Sequence, residues 1–319
     1  MLRKKFSRII VGGFLAMSLL TAPASAAPLN FDPDSAIVQY TQKIQADPTN
    51  AVAYQNRGVA YKMKKDYDKA IADFTRAIEL KPDYADAYNN RATVYEKLGR
   101  FDDAYNDYNR AVEINPNDAV AYSNRGLITG KMANYQQISG RSSNEIYARA
   151  INDLTRAIEL NPNYAEAYQN RGAVYSWMPN DEKAIEDLSR AMELGIKTDE
   201  IFSARGACYW SLKQNDKALA DFDAALAINP KYGTAYNNRG LVYFDKKDYQ
   251  RAIVDFKKAI ELGSNLTDSF NNLGLCYYQL GDYDAAIDCY TRALSVNQNF
   301  KPAIQNMQVA YEAKAGRRR

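Results

Sequence analysis

An all-α solenoid of antiparallel helix pairs is the fold class predicted by this 319-residue sequence, on three observations. An AYxNRG-like stretch recurs along the chain: Tyr54, Tyr88, Tyr122, Tyr168, Phe202, Tyr236 and Phe270 open successive units, and Ile304 opens a truncated last one. The step is 34 residues, except between Tyr122 and Tyr168, where it is 46, the period plus 12. Small residues recur at matched places in each unit, and Pro or Gly closes the first six. A period in this range means that one unit cannot bury its apolar face alone and must stack on its neighbours. The function of such a chain belongs to a surface.

With the places of a unit numbered 1 to 34 so that Tyr54 stands at place four, the pattern is regular. Place eight is Gly58, Ala92, Gly126, Gly172, Gly206, Gly240 and Gly274; place twenty is Ala in all seven units, from Ala70 to Ala286, and place 27 likewise, from Ala77 to Ala293. Residues without bulk on two adjacent segments let helix backbones approach closely, and aromatics fill the wider gaps. Those aromatics are Tyr61, Tyr95, Tyr175, Tyr209, Tyr243 and Tyr277 at place eleven, with Phe74, Tyr108, Phe222, Phe256 and Tyr290 at place 24. Pro82, Pro116, Pro162 and Pro230 stop the second helix of their units. Gly195 and Gly263 end two that lack the proline, as a helix C-terminal cap does.

In chain order, residues 1–26 have the parts of a signal peptide: Arg3, Lys4, Lys5 and Arg8, an apolar run from Ile9 to Leu20, and Ala24-Ser25-Ala26 before Ala27. That run of 12 residues is short for a membrane span, although an uncleaved anchor is the alternative. Residues 27–50 are a linker and a capping half-unit, with Ala36, Tyr40 and Pro48 where a second helix has them. Seven full units follow at 51–84, 85–118, 119–164, 165–198, 199–232, 233–266 and 267–300. The third carries the 12-residue insertion between Met132 and Ala150, expected in the turn between its helices. Gly140 to Asn144 is turn-like, Ser143 or Asn144 suits a helix cap, and the insertion is either surface decoration or a partner-contacting loop. A lone first helix at 301–315 closes the array, with Ile304 and Tyr311 inward and Gln305, Gln308, Glu312 and Lys314 outward. Residues 316–319 are a short basic tail.

The unit pattern of aromatic, small, aromatic, Ala, aromatic and Pro resembles the tetratricopeptide repeat (TPR) family, over about residues 51–300. The resemblance implies a right-handed superhelix whose first helices line a concave groove for protein or peptide segments. One departure stands out. Place seven, usually Leu in the family, is Arg57, Arg91, Arg125, Arg171, Arg205 and Arg239, and only the seventh unit keeps Leu273.

Asp73, Asp107, Asp153, Asp187, Asp221 and Asp255 occupy place 23 of the same six units, and the seventh has Cys289 there. Arg and Asp therefore come and go together. Pairing each Arg with the Asp of its own unit leaves no orphan, which predicts a bidentate ion pair across the two helices of each hairpin. The alternative is that both residues simply suit exposed helix faces.

Composition narrows the function further. With the leader removed, 37 basic residues face 38 acidic ones, a net charge of −1, so no nucleic-acid footprint remains. There is no histidine, which removes the commonest general base and metal ligand, and no phosphate loop or nucleophile motif stands outside the repeat. No catalytic, cofactor-binding or metal residue is assigned. Cys208, Cys276 and Cys289 are too few for a disulfide framework; Cys276 and Cys289 either bond within the seventh unit or serve as small core residues.

The candidate groove residues follow from the resemblance. Place six is Asn56, Asn90, Asn124, Asn170, Asn238, Asn272 and Asn306, broken only by Ala204. A side-chain amide offers a donor and an acceptor together, so spaced Asn can hold an extended backbone, similar to the asparagine ladders of peptide-gripping members of the family. Packing is the alternative role for Asn at this place. Lys62, Glu96, Lys97 and Lys131 line the early part, whereas Trp177, Trp210, Phe244 and Tyr278 line the later part, where apolar side chains of a partner would dock.

The sequence thus leads to an exported, non-catalytic, peptide-binding scaffold in a periplasmic or cell-surface assembly, without nucleic acid, cofactor or membrane span after leader removal. The alternatives are a structural solenoid that self-associates and a glycan-binding envelope protein, since Trp and Asn line sugar sites as readily.

Overall fold

The structure, a computed structural model, describes residues 32–138 and 143–316. The expected leader at 1–26, the first part of the expected turn at 140–144 and the tail arginines at 317–319 lie outside the described residues. Within them the chain forms helices α1 (Pro33–Ala46), α2 (Ala51–Met63), α3 (Tyr67–Leu80), α4 (Ala85–Lys97), α5 (Phe101–Ile114), α6 (Ala119–Ile138), α7 (Asn144–Leu160), α8 (Ala165–Trp177), α9 (Asp181–Glu193), α10 (Asp199–Ser211), α11 (Asn215–Ile228), α12 (Gly233–Asp245), α13 (Tyr249–Glu261), α14 (Leu266–Leu280), α15 (Tyr283–Val296) and α16 (Lys301–Gly316), and no strand. Two compact bodies result. Among the described residues one holds 32–178 together with Glu193–Gly195, the other Pro179–Met192 and 196–316.

The hairpin is built the same way in both bodies. A ring at place 24 lies so close to the first helix that a Cβ on Gly58 would come within 2.7 Å of Phe74, on Gly240 within 2.8 Å of Phe256, and on Gly274 within 2.6 Å of Tyr290. Glycine is what permits this approach. Around it the alanines of places twenty and 27 are fully buried from Ala70 and Ala77 to Ala286 and Ala293.

The turn inside the hairpin is closed by a six-residue bond of the helix C-terminal type: Asp66 N–H donates to the Tyr61 carbonyl at 2.9 Å, Arg100 to Tyr95 at 2.9 Å, Asp248 to Tyr243 at 2.9 Å and Asp282 to Tyr277 at 2.9 Å. The residue before the donor is left-handed, with φ near 61° at Lys65, Lys213 and Lys247, 73° at Gly99 and 78° at Gly281. Asp66, Asp248 and Asp282 then cap the second helix by accepting from the backbone N–H three residues on. Gly195 and Gly263, expected as stops, have φ of 112° and 68°.

Two expectations are corrected. The insertion is mostly helix rather than loop: α6 runs 20 residues and α7 17, against 13 and 14 for α2 and α3. Ala133 and Tyr147 from the added turns join Ala150, Leu154 and Val174 in an apolar cluster, which explains why helix is preferred to an open loop. Ser143 stands at the N-cap of α7 with no side-chain capping bond. In α16, Ile304 is 44% and Tyr311 52% exposed, because among the described residues no second helix follows to cover them. Ala303 and Ala310 make the buried contact instead.

Candidate functional site

Within each body successive first helices touch, α2 with α4 and α10 with α12, α12 with α14 and α14 with α16, while successive second helices among the described residues make no comparable contact. The first helices therefore form the inner layer, and the row pattern of the sequence can be followed across it.

The layer is fixed to the second helices by the arginines of place seven. Nε and Nη2 donate to the two carboxylate oxygens at 2.8 and 2.8 Å for Arg57–Asp73, 2.7 and 2.8 Å for Arg91–Asp107, and 2.8 and 2.6 Å for Arg125–Asp153. The same fork joins Arg205 to Asp221 at 2.8 and 2.8 Å and Arg239 to Asp255 at 2.8 and 2.7 Å. Each pair lies within its own unit. In the fourth unit Asp187 is buried on α9 and Arg171 Nη1 donates to Thr155 Oγ1 at 3.1 Å.

That last bond belongs to a feature absent from the single-unit pattern. The third guanidinium nitrogen reaches back to place 25 of the preceding second helix: Arg57 to Thr41, Arg91 to Thr75, Arg125 to Asn109, Arg205 to Ser189 and Arg239 to Asp223, at 2.6–3.2 Å. One arginine thus ties three helices. A signal for it stands in the sequence, because the place-25 residue facing Leu273 is Lys257, which cannot accept. Tyrosines at places four and eleven flank the guanidinium, with Tyr54 at 5.6 Å and Tyr61 at 5.9 Å from Arg57. The Asp73 hydrogen bonds hold Arg57 above the usual arginine range. In the sixth unit Arg239 is raised by its bonds to Asp255, yet burial pushes Asp255 up despite them. Desolvation therefore offsets much of the attraction, and the cost of breaking the pair exceeds its net contribution.

Five of the seven place-six asparagines, Asn90, Asn124, Asn170, Asn272 and Asn306, commit their amide donors within the protein rather than to a guest chain. Asn90, Asn124, Asn170, Asn238 and Asn272 are buried, and Asn56 and Asn306 half-buried. Four of them donate to place five of the preceding unit: Asn124 Nδ2 to Asn89 at 3.1 Å, Asn170 to Ser123 at 3.0 Å, Asn272 to Asn237 at 3.3 Å and Asn306 to Asn271 at 2.9 Å. Asn90 donates to the Asp86 carbonyl at 3.0 Å. The row is a set of clasps between units, and the reason is that a buried amide must find a partner inside.

The varied chemistry of the layer lies one turn further, at places twelve and thirteen, where a residue of one unit meets the next unit's. In the N-terminal body Lys131 pairs with Glu96 at 2.5 Å, and Lys62 Nζ donates to Asn90 Oδ1 at 2.7 Å and Thr93 Oγ1 at 3.4 Å. Burial, with Lys97 adding to it, lowers the Lys62 pKa to about 8. Trp177 is half-buried against the insertion's cluster, lying over Gly130, where a Cβ would come within 3.2 Å of its ring. It belongs to that local core rather than to an open aromatic row.

In the C-terminal body place twelve is aromatic and half-buried, while place thirteen holds Ser211, Asp245 and Gln279. Trp210 Nε1 donates to Asp245 Oδ2 at 3.0 Å, with Lys213 Nζ 5.8 Å from its ring. Phe244 meets Tyr249 edge-on at a centroid distance of 5.4 Å, and Tyr278 meets Tyr283 at 5.4 Å. These contacts fix each ring from one side and leave part of it accessible. Cys208, Cys276 and Cys289 are buried thiols rather than disulfides, and burial pushes the Cys276 and Cys289 thiols up to about 12 and about 11.

Helical hairpins stacked at this period define a repeat solenoid with an inner binding layer. Comparison with known proteins gives the family: the tetratricopeptide repeat model matches residues 51–84, 85–118, 234–266 and 267–300, and a second TPR repeat model matches 145–176 and 209–247. The chain belongs to the TPR family. Among solved structures it is similar to a tetratricopeptide repeat protein from Parabacteroides merdae ATCC 43184, at 22% identity and a TM-score of 0.56, covering 77% of this chain and 92% of that one. It is also similar to a chain of the APC/C hetero-tetramer Cut9-Hcn1, at 20% identity and a TM-score of 0.58, covering 87% of this chain and 52% of that one. A thermophilic TPR protein of Thermus thermophilus matches at 25% identity and a TM-score of 0.50, over 61% of this chain and 99% of that one. No curated protein matches the sequence. The repeats make this a protein-interaction scaffold.

Proposed function

We propose that the chain is an exported scaffold that captures extended segments of other proteins on the inner layer of its C-terminal body and so organises a cell-envelope assembly. The observation that carries this is the run of Trp210, Phe244 and Tyr278 at one place of three consecutive first helices, each ring held from one side and half-buried. Rings immobilised in this way offer apolar contact area at small entropic cost, the property of binding hot spots. The basic, apolar and Ala-x-Ala parts of residues 1–26 support export, and no helix among the described residues is long and apolar enough to cross a membrane.

The residues that fix the architecture are distinct from those that bind: the Arg–Asp forks and the asparagine clasps hold the layer, and the rings receive the partner. Changing Trp210 and Phe244 together to Ala should abolish capture of the partner from an envelope extract while circular dichroism keeps the wild-type helicity. Unchanged capture would contradict the proposal.

A further inference from the structure

The contact between place twelve of one unit and place thirteen of the next has a consequence at the start of the array. In the second and third units it joins opposite charges, Glu96 with Lys131 at 2.5 Å. In the fifth and sixth it joins a donor with a carboxylate, Trp210 with Asp245 at 3.0 Å. In the first and second the same positions hold Lys62 and Lys97, two cations. The one acidic residue close by in sequence, Glu96, is already engaged by Lys131 and by the Tyr108 hydroxyl at 3.4 Å. The Lys62 amine has only neutral partners, Asn90 Oδ1 and Thr93 Oγ1. Lys64, two residues on, is paired with Asp34. Among the described residues no carboxylate pairs with Lys62 or Lys97.

A sequestered ammonium beside a like charge is unfavourable in the free protein and becomes favourable once an anion sits between the two. We propose that Lys62 and Lys97 form a site for the side-chain carboxylate of an acidic peptide, with Asn90 and Thr93 orienting the Lys62 amine toward it. The lowered proton affinity of Lys62 agrees with an amine lacking a counter-ion. Lys97 is exposed and supplies attraction from the solvent side. The inference deepens the scaffold reading and rests on it: segments taken up at the first units would be acidic, those taken up at Trp210 and Phe244 apolar.

The test uses the full-length chain without its leader and a ten-residue probe peptide, blocked at both ends and carrying Glu and Asp, beside its Gln/Asn counterpart and a Gln/Asn peptide with a free C-terminus. Binding is followed by the NMR signals of the lysine side-chain methylenes and by fluorescence anisotropy. The expected result is a shift of the Lys62 and Lys97 signals with the acidic peptide alone, and at least tenfold weaker binding in both Lys62→Met and Lys97→Met. Val254→Ala, at an exposed position on the second helix of the sixth unit, should leave this binding unchanged. Equal binding of the neutral peptide, binding only through a free C-terminus, no binding at the pair, or undiminished binding in the Met variants would each overturn the proposal. Loss of partner capture in the Trp210 and Phe244 variant is read separately, so the scaffold function can survive failure of this site.

Discussion

The two bodies share a frame and differ in what their inner layers offer. In both, an arginine fork ties three helices, and asparagine amides clasp one unit to the next. At places twelve and thirteen they diverge: the N-terminal body carries Lys62, Glu96, Lys97 and Lys131, the C-terminal body Trp210, Phe244 and Tyr278. The difference teaches that stacking and recognition are assigned to separate places of the same helix. Places six, seven, eight and eleven repeat nearly the same residues from unit to unit, whereas twelve and thirteen differ between the bodies in charge and aromatic character.

The most damaging test of the shared frame removes one fork from each body. Asp107→Ala and Asp221→Ala should each lower stability by about 3 kcal/mol, since a mostly buried guanidinium is left without its carboxylate. The carboxylate side chains are 9% and 7% exposed. Importing the seventh unit's solution, Arg205→Leu with Asp221→Cys and Ser189→Lys, should restore most of the loss in urea denaturation. If the combined change is no milder than Asp221→Ala alone, the three residues do not act as one unit.

A smaller effect sharpens the contrast at the inner layer. Lys62 has its pKa lowered to about 8 from an ordinary 10.5, so below pH 8 folding keeps a desolvated charge. As pH rises from 8 to 10.5 the folded state sheds this proton while the unfolded chain retains it, and stability from this group rises. Lys62→Met should therefore be more stable than wild type by about 1 kcal/mol at pH 7, because about 3 kcal/mol of relieved desolvation is partly offset by the lost bonds to Asn90 and Thr93, and the gap narrows toward pH 10. A gap independent of pH would place the Lys62 amine in solvent.

Most of the frame is legible in the sequence because it repeats within one unit. The 34-residue step locates the helix pairs, and the joint loss of Arg and Asp at Leu273 and Cys289 points to the fork. What escapes such a reading is the set of relations between units. The acceptors at place 25, from Thr41 to Asp223, and the place-five partners Asn89, Ser123, Asn237 and Asn271 each belong to a different unit from the residue they bind. Along one unit an asparagine row looks like a ladder for a guest, although Asn124, Asn170, Asn272 and Asn306 already donate to the neighbouring unit. The insertion escapes for another reason: Gly140 signals a turn, but the apolar cluster of Ala133, Tyr147 and Val174 that makes the flanking turns helical forms only in the folded hairpin. Ile304 and Tyr311 face inward by their unit positions, yet burial at those positions depends on a second helix, and none follows α16 among the described residues.

The claim that partners dock on the first helices of the C-terminal body is tested most directly by photo-crosslinking in the native cell, with benzoylphenylalanine replacing Phe244 in one strain and Val254 in another. Val254 is 65% exposed on the second helix of the same unit, so the two probes differ in the layer that carries them. The account predicts partner crosslinks from position 244 and none from 254; crosslinks from 254 with none from 244 would contradict it.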